Sequence, residues 1–218
     1  MGFCIIFAGM IRTLQLTYSY SGGSQTLRFP DLSCGRGEHW LLLGQSGAGK
    51  TTFLHLLGGL LSPLSGDVVI NDTHLATLKA SALDHFRGKH IGIVFQKSHF
   101  VKSLTVEENL LLAQHLAGHA IDKSRAMTLL ERLNLSHKRA ALPERLSAGE
   151  QQRAAIARAL INKPVLILAD EPTSALDDSH CNEVIHLLEE EATDAGATLL
   201  VVTHDGRLKT RFEKQVLL

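Results

Sequence analysis

Gly44-Gln45-Ser46-Gly47-Ala48-Gly49-Lys50-Thr51 decides the fold. The run fits GxxxxGK[ST] in full, directly after the apolar stretch Trp40-Leu41-Leu42-Leu43 and directly before a helical pattern. That strand, loop and helix context is what makes the motif a phosphate cradle. Its glycines let backbone N–H groups close around phosphate oxygens, and the helix N-terminus adds favourable partial charge. Lys50 is placed to neutralise β- and γ-phosphates, and the Thr51 hydroxyl to ligate Mg2+. Gly44, Gln45, Ser46, Gly47, Ala48, Gly49, Lys50, Thr51 and Thr52 are the candidate nucleotide contacts of this loop.

Upstream, residues 14–20 alternate apolar and polar as a half-buried strand does, 21–24 read as a turn, and 26–32 as the return strand of a hairpin. Further strands are expected at 68–70 and 91–95. Residues 106–116, 123–133 and 148–161 carry apolar residues at helical spacing. The runs 165–169 and 198–202 are apolar on both faces, which suits a parallel sheet covered by helices, with a crossover helix at 182–191 between them. The sum predicts an α/β fold: a P-loop core with a mainly parallel sheet, an N-terminal antiparallel β part and an inserted helical lobe. One domain is expected, with its core at 10–96 and 163–218, its helical lobe at 97–162, and an apolar extension at 1–9 before a start at Met10.

Bulk properties exclude several classes. Lys+Arg and Asp+Glu are both 22 in 218 residues, so formal net charge is zero and no basic excess points to nucleic acid. Without net charge to keep it apart from its neighbours, such a chain is expected to lean on a partner. No run reaches the roughly 20 apolar residues that span a bilayer. Cys4, Cys34 and Cys181 show no CxxC and read as reduced thiols. His115 and His119 are spaced i, i+4 in a helical pattern, but no third ligand type accompanies them. Asn162-Lys163-Pro164-Val165 lacks the final Asp of a guanine-reading NKxD.

Two further runs carry chemistry. Leu166-Ile167-Leu168-Ala169-Asp170-Glu171 is an apolar strand ending in two carboxylates. Placed beside the P-loop strand, it would present Asp170 to Mg2+ and Glu171 to the water that attacks the γ-phosphate. In Leu146-Ser147-Ala148-Gly149-Glu150-Gln151-Gln152-Arg153, Ser147 and Glu150 form the S-x-x-E capping box that starts a helix. A capped N-terminus with Ser and Gly is itself a phosphate-binding device.

At this point the chain resembles the ABC ATPase family across about residues 10–218. Ser147 and Gly149 match its LSGGQ signature, followed by Gln152-Arg153 and Ala157-Arg158-Ala159-Leu160. The resemblance implies ATP and Mg2+ as ligands. It implies Gln96 as the Q-loop residue that senses Mg2+ and water, Asp177 as the D-loop carboxylate, and His204 as the switch histidine. Tyr20 becomes the aromatic that stacks on adenine, with Tyr18 as its alternative on the same strand face. Ala148 departs from the usual Gly, which bears on hydrolysis rate; Glu150 replaces the common Gln. The runs 86–96 and 104–110 resemble the subgroup of lipoprotein-releasing, macrolide-efflux and cell-division ATPases. Such subunits form homodimers through ATP and attach to integral-membrane permease subunits on the cytoplasmic face of the cell membrane. The expected function is an ATP-hydrolysing transporter motor. A regulator that signals to a membrane partner without transport is the alternative, and a soluble ABC ATPase of DNA repair or translation lacks its basic patch and tandem domain.

Overall fold

The computed structural model describes residues 9–20, 25–45, 47–173, 178–204 and 206–218, with 178–180 described for their backbone alone. The turn expected at 21–24, most of the extension at 1–9, Cys4, Ser46 and Asp177 lie outside these residues.

The N-terminal third is antiparallel. Strand β1 (Ile11–Ser19) pairs with β2 (Thr26–Arg28) and with β3 (Ser33–Cys34). The return strand expected at 26–32 is thus shortened to 26–28, and pairing with β1 resumes only at 33–34. Pro30 has no N–H for the ladder, and its carbonyl instead accepts from the Thr13 hydroxyl at 3.2 Å. After β4 (His39–Leu43) and the P-loop helix α1 (Lys50–Leu57) come β5 (Ser65–Ile70) and β6 (Thr73–His74). Strand β5 pairs with the other edge of β1, and the sheet order is β2-β1-β5-β6. Asn71 and Asp72, with φ of 46° and 60°, make the two-residue turn between β5 and β6, the left-handed pair that a tight hairpin requires.

Helix α2 (Ala80–His90) and strand β7 (Ile91–Val94) follow. Three helices then stand in succession: α3 (Val106–Leu116), α4 (Lys123–Arg132) and α5 (Ala148–Leu160). Capping boxes start two of them, Thr105 with Glu108 and Ser147 with Glu150. Helix α3 ends at Gly118, φ 72°, whose N–H bonds His115 O while His119 N–H bonds Gln114 O. That is a Schellman stop, so His119 lies beyond the helix and not one turn above His115. No group of three His, Cys, Asp or Glu able to hold a metal occurs among the described residues.

Strand β8 (Leu166–Asp170), helix α6 (Asp178–Ala195), strand β9 (Thr198–Val202) and strand β10 (Lys214–Leu217) complete the chain. The second sheet is parallel, in the order β10-β4-β9-β8-β7. Leu42, Leu168, Leu200 and Val202 face α1 and the antiparallel sheet, while Leu41, Ile167, Leu199 and Val201 face the core formed with α5 and α6. A sheet buried on both faces explains why β8 and β9 are apolar throughout. The order also corrects one expectation: β8 does not adjoin the P-loop strand, because β9 runs between them. Register keeps the ends level, with Asp170 opposite Val202 and Val202 opposite Leu42. No helix among the described residues is long and apolar enough to cross a membrane.

Candidate nucleotide site

Because β4, β7, β8 and β9 are parallel, their carboxyl ends share one edge, where α/β sheets bind ligands. A cavity of about 650 Å³ opens there. Its floor is the P-loop. Gly47 and Gly49 take φ of 83° and 92°, left-handed values that side chains resist. Gly49 caps α1, and no side chain caps the helix or places an acid in its first turn. Those N–H groups therefore face the cavity ready for an anion. Gly44 and Gln45 contribute their carbonyls: the Lys50 ammonium donates to both, at 2.9 Å each. The Ala48 N–H closes the loop onto Gln45 O at 3.2 Å.

Thr51, Thr52, Gln96, Asp170 and Glu171 line the same cavity. Asp170 is buried, and its Oδ1 has no hydrogen-bond partner among the described residues. Burial pushes its carboxyl above the ordinary value; a hydrogen bond from Thr51 pulls it down, the Glu171 charge raises it further, and the His55 and Lys50 charges oppose the rise. An orphaned buried carboxylate oxygen beside a hydroxyl and an amide is a hard-oxygen set, the donor chemistry Mg2+ takes alongside phosphate oxygens. The residues present fit that ion.

Glu171 follows β8 with φ 49°, a strained value for a residue with a side chain. Among the described residues, Thr203 and His204 hold its carboxylate. The Thr203 hydroxyl donates to Oε2 at 2.8 Å, the His204 N–H donates to Oε1 at 3.1 Å, and His204 Nδ1 lies 2.6 Å from Oε1. His204 does not line the cavity itself; it reaches the site through Glu171.

Tyr20 lines the cavity and Tyr18 does not. The Tyr20 hydroxyl lies 2.7 Å from Thr52 Oγ1, and its ring meets Tyr18 edge-on with centroids 4.9 Å apart. Gln25 and Leu27 complete that wall and were not expected. The hairpin supplies the signal that finds them, since Leu27 lies opposite Tyr18 in the ladder.

The signature residues are elsewhere. Ser147 and Ala148 are exposed, Gly149 is half-buried, and none of them lines the cavity. Ser147 Oγ accepts from Glu150 N–H at 3.3 Å, while the Ser147 N–H donates to Glu150 Oε2 at 2.8 Å. From the same helix, Arg158 donates to the carbonyls of Ser98 and His99 at 2.6 and 2.7 Å, and its guanidinium lies over the Phe100 ring. It ties α5 to the loop that follows Gln96.

A phosphate cradle on a parallel sheet, with a Mg2+-type carboxylate and an adjacent glutamate at the strand ends, defines a P-loop nucleoside triphosphatase. The profile of the ABC transporter family matches residues 27–174. The lipoprotein-releasing system ATP-binding protein LolD of Shewanella denitrificans is 40% identical over 195 residues, covering 88% of this chain and 84% of that protein. The LolD of Syntrophotalea carbinolica is 39% identical over 214 residues, covering 96% and 94%. Among solved structures, the dimeric post-hydrolysis state of the ATP-binding cassette MJ0796 with ADP and Pi superposes with a TM-score of 0.89 at 33% identity, covering 96% of this chain and 94% of that one. The chain belongs to the ABC transporter family, as an ATP-binding subunit that hydrolyses ATP.

Proposed function

We propose that two copies of this chain close around two ATP molecules and drive integral-membrane permease subunits from the cytoplasmic face of the membrane. The observation that carries this reading is the separation of the signature from the cavity. Ser147, Ala148 and Gly149 form an exposed helix start that does not line the P-loop cavity of its own chain. Each chain thus holds half a site, and a second copy supplies the other half. The dimeric MJ0796 structures support this arrangement.

In this reading Tyr20 stacks on adenine, and the N–H groups of residues 44–52 wrap the phosphates. Lys50 exchanges the Gly44 and Gln45 carbonyls for β- and γ-phosphate oxygens. Thr51, Asp170 and Gln96 hold Mg2+, directly or through water, and the ion when bound neutralises charge on the phosphates. Glu171 takes a proton from water as its oxygen bonds to the γ-phosphorus. The bond from that phosphorus to the bridging oxygen breaks, leaving ADP and phosphate. His204 contacts the γ-phosphate and Asp177 borders the partner's site. Residues 97–162 act as a lobe that carries the signature, and residues 10–96 with 163–218 as the ATP-binding core.

A groove of about 760 Å³ runs between β7 and helices α2, α3 and α5. Leu60 and Leu116 expose apolar surface along it, and Arg158 and His99 join its wall. This groove is the proposed seat of the permease. A force-transmitting subunit without transport would use the same cycle; flux through the reconstituted complex separates the two.

The dimer is tested by size-exclusion chromatography with ATP and Mg2+. Glu171→Gln keeps shape but removes the base, so it accumulates as a dimer. Ser147→Arg places a bulky cation at the closing face and stays monomeric. A monomeric Glu171→Gln protein at high concentration, or an equally dimeric Ser147→Arg protein, contradicts the reading.

A further inference from the structure

Two consecutive residues at the end of β9 hold the residue proposed as the base, one by its backbone and one by its carboxylate. The Glu171 N–H donates to Val202 O at 2.8 Å. One residue on, the Thr203 hydroxyl donates to Glu171 Oε2 at 2.8 Å. Thr203 is fully buried, and its own N–H reaches back to Leu42 O at 3.2 Å on the P-loop strand. It therefore joins three parts of the site: the β9 end, the phosphate-binding strand and the glutamate.

The two carboxylate oxygens are divided between different neighbours. Oε2 is turned inward onto Thr203, while Oε1 meets His204, whose side chain is 69% exposed. Among the described residues, the contact on Oε1 is thus to an exposed side chain and that on Oε2 to a buried one. A β-branched side chain held by packing has little rotameric freedom, so the Thr203 hydroxyl is a fixed point. Glu171 needs one, because its φ of 49° leaves its backbone in a sparsely populated region.

We propose that Thr203 is a positioning residue for ATP hydrolysis. Its hydroxyl anchors Glu171 Oε2 and so fixes the orientation of the carboxylate that takes the proton of the attacking water. The proposal rests on the reading of Glu171 as the base. Thr203 does not line the cavity; it acts through Glu171.

The test compares steady-state hydrolysis by the full chain carrying Thr203→Val, Thr203→Ser, Glu171→Gln, and Thr203→Val with Glu171→Gln. Valine keeps the branch and removes the donor. The expected result is a kcat lowered by about tenfold with KM for ATP within about twofold, since misplacing a catalytic group slows the chemical step without weakening remote binding. Serine restores the donor and most of the rate. In the Glu171→Gln background the valine change removes nothing further, because both act through one carboxylate. Thermal melting establishes that each variant is folded; should valine unfold the chain, the serine protein and Thr203→Ala carry the comparison. Wild-type kcat in a folded Thr203→Val or Thr203→Ala protein, or equal proportional losses in both backgrounds, overturns the proposal. Wild-type hydrolysis by Glu171→Gln instead overturns the assignment of the base, a failure visible before Thr203 is considered.

Discussion

Single residues divide into those whose role follows from neighbours in sequence and those that need the fold. Lys50 and Thr51 sit inside a motif whose every position has a steric or electrostatic reason, so the loop is legible from eight consecutive letters. Tyr20 is different, because alternation puts it on the same strand face as Tyr18. Their positions along the strand separate them. Tyr18 pairs with Leu27 inside the ladder and packs on the core, whereas Tyr20 stands past the end of β1, 53% exposed at the cavity. Tyr20→Ala is expected to raise the dissociation constant for ATP about fivefold, the equivalent of about 1 kcal/mol of lost stacking. Tyr20→Phe keeps the ring, gives up only the contact with Thr52, and stays near wild type. Tyr18→Ala has a smaller effect, exerted through the edge-on contact of the two rings. Calorimetric titration of the three variants checks the order, and a larger effect at Tyr18 moves the adenine platform there. Thr203 was not legible because its meaning lies in a contact 32 positions away.

At the scale of elements, the two helices that capping boxes start came out cleanly. Helix α3 occupies 106–116 as read, and α5 starts at Ala148 because Ser147 and Glu150 satisfy each other's backbone groups. Helix α2 left no such trace. None of its residues is fully buried, and Leu83 and Phe86, which pack on the core, make too short a stripe to read. The edge strand β10 is short and mostly exposed, which hides it for the same reason. Strand order was beyond the sequence altogether: nothing in 166–171 tells that β9 lies between β8 and the P-loop strand. One contact between elements is more expensive to break than its surface position suggests. Glu191 on α6 is buried and accepts from Arg125 at 2.6 Å; it also pairs with Arg132, so α4 is bound to α6 through one carboxylate. Truncating the buried partner leaves Arg125 with the Leu160 carbonyl and Arg132 with Glu190, so the loss is that of two charge-assisted bonds, roughly 1.5–3 kcal/mol. Glu191→Ala is therefore expected to lower the melting temperature by roughly 3–12 °C. A scanning-calorimetry shift below about 2 °C would show that the two arginines find other partners or water.

For the whole molecule the question is how one chain's two half-sites meet. The P-loop cavity and the Ser147 helix start are separate surfaces of one chain, and the proposed dimer brings them together across two copies. That geometry makes a prediction that no single mutant can make. Lys50→Ala destroys a subunit's own phosphate cradle but leaves its Ser147 face intact. Ser147→Arg does the reverse. Each protein alone is expected to be nearly inactive, because every site in its homodimer carries one defect. A mixed dimer is not equivalent. One of its sites combines both defects, while the other joins the intact cradle of the Ser147→Arg subunit to the intact signature of the Lys50→Ala subunit. The introduced arginine meets the cradle that has lost its lysine and holds no phosphate, so it does not obstruct the good site. Random pairing at equal amounts makes half the dimers mixed, each with one working site of two, so about a quarter of wild-type phosphate release returns. The measurement is ATP turnover of the two purified proteins, alone and mixed. A rate in the mixture no higher than the mean of the two parents means that cradle and signature do not complete one another between chains. A site completed within one chain predicts that outcome, because mixing would then repair nothing.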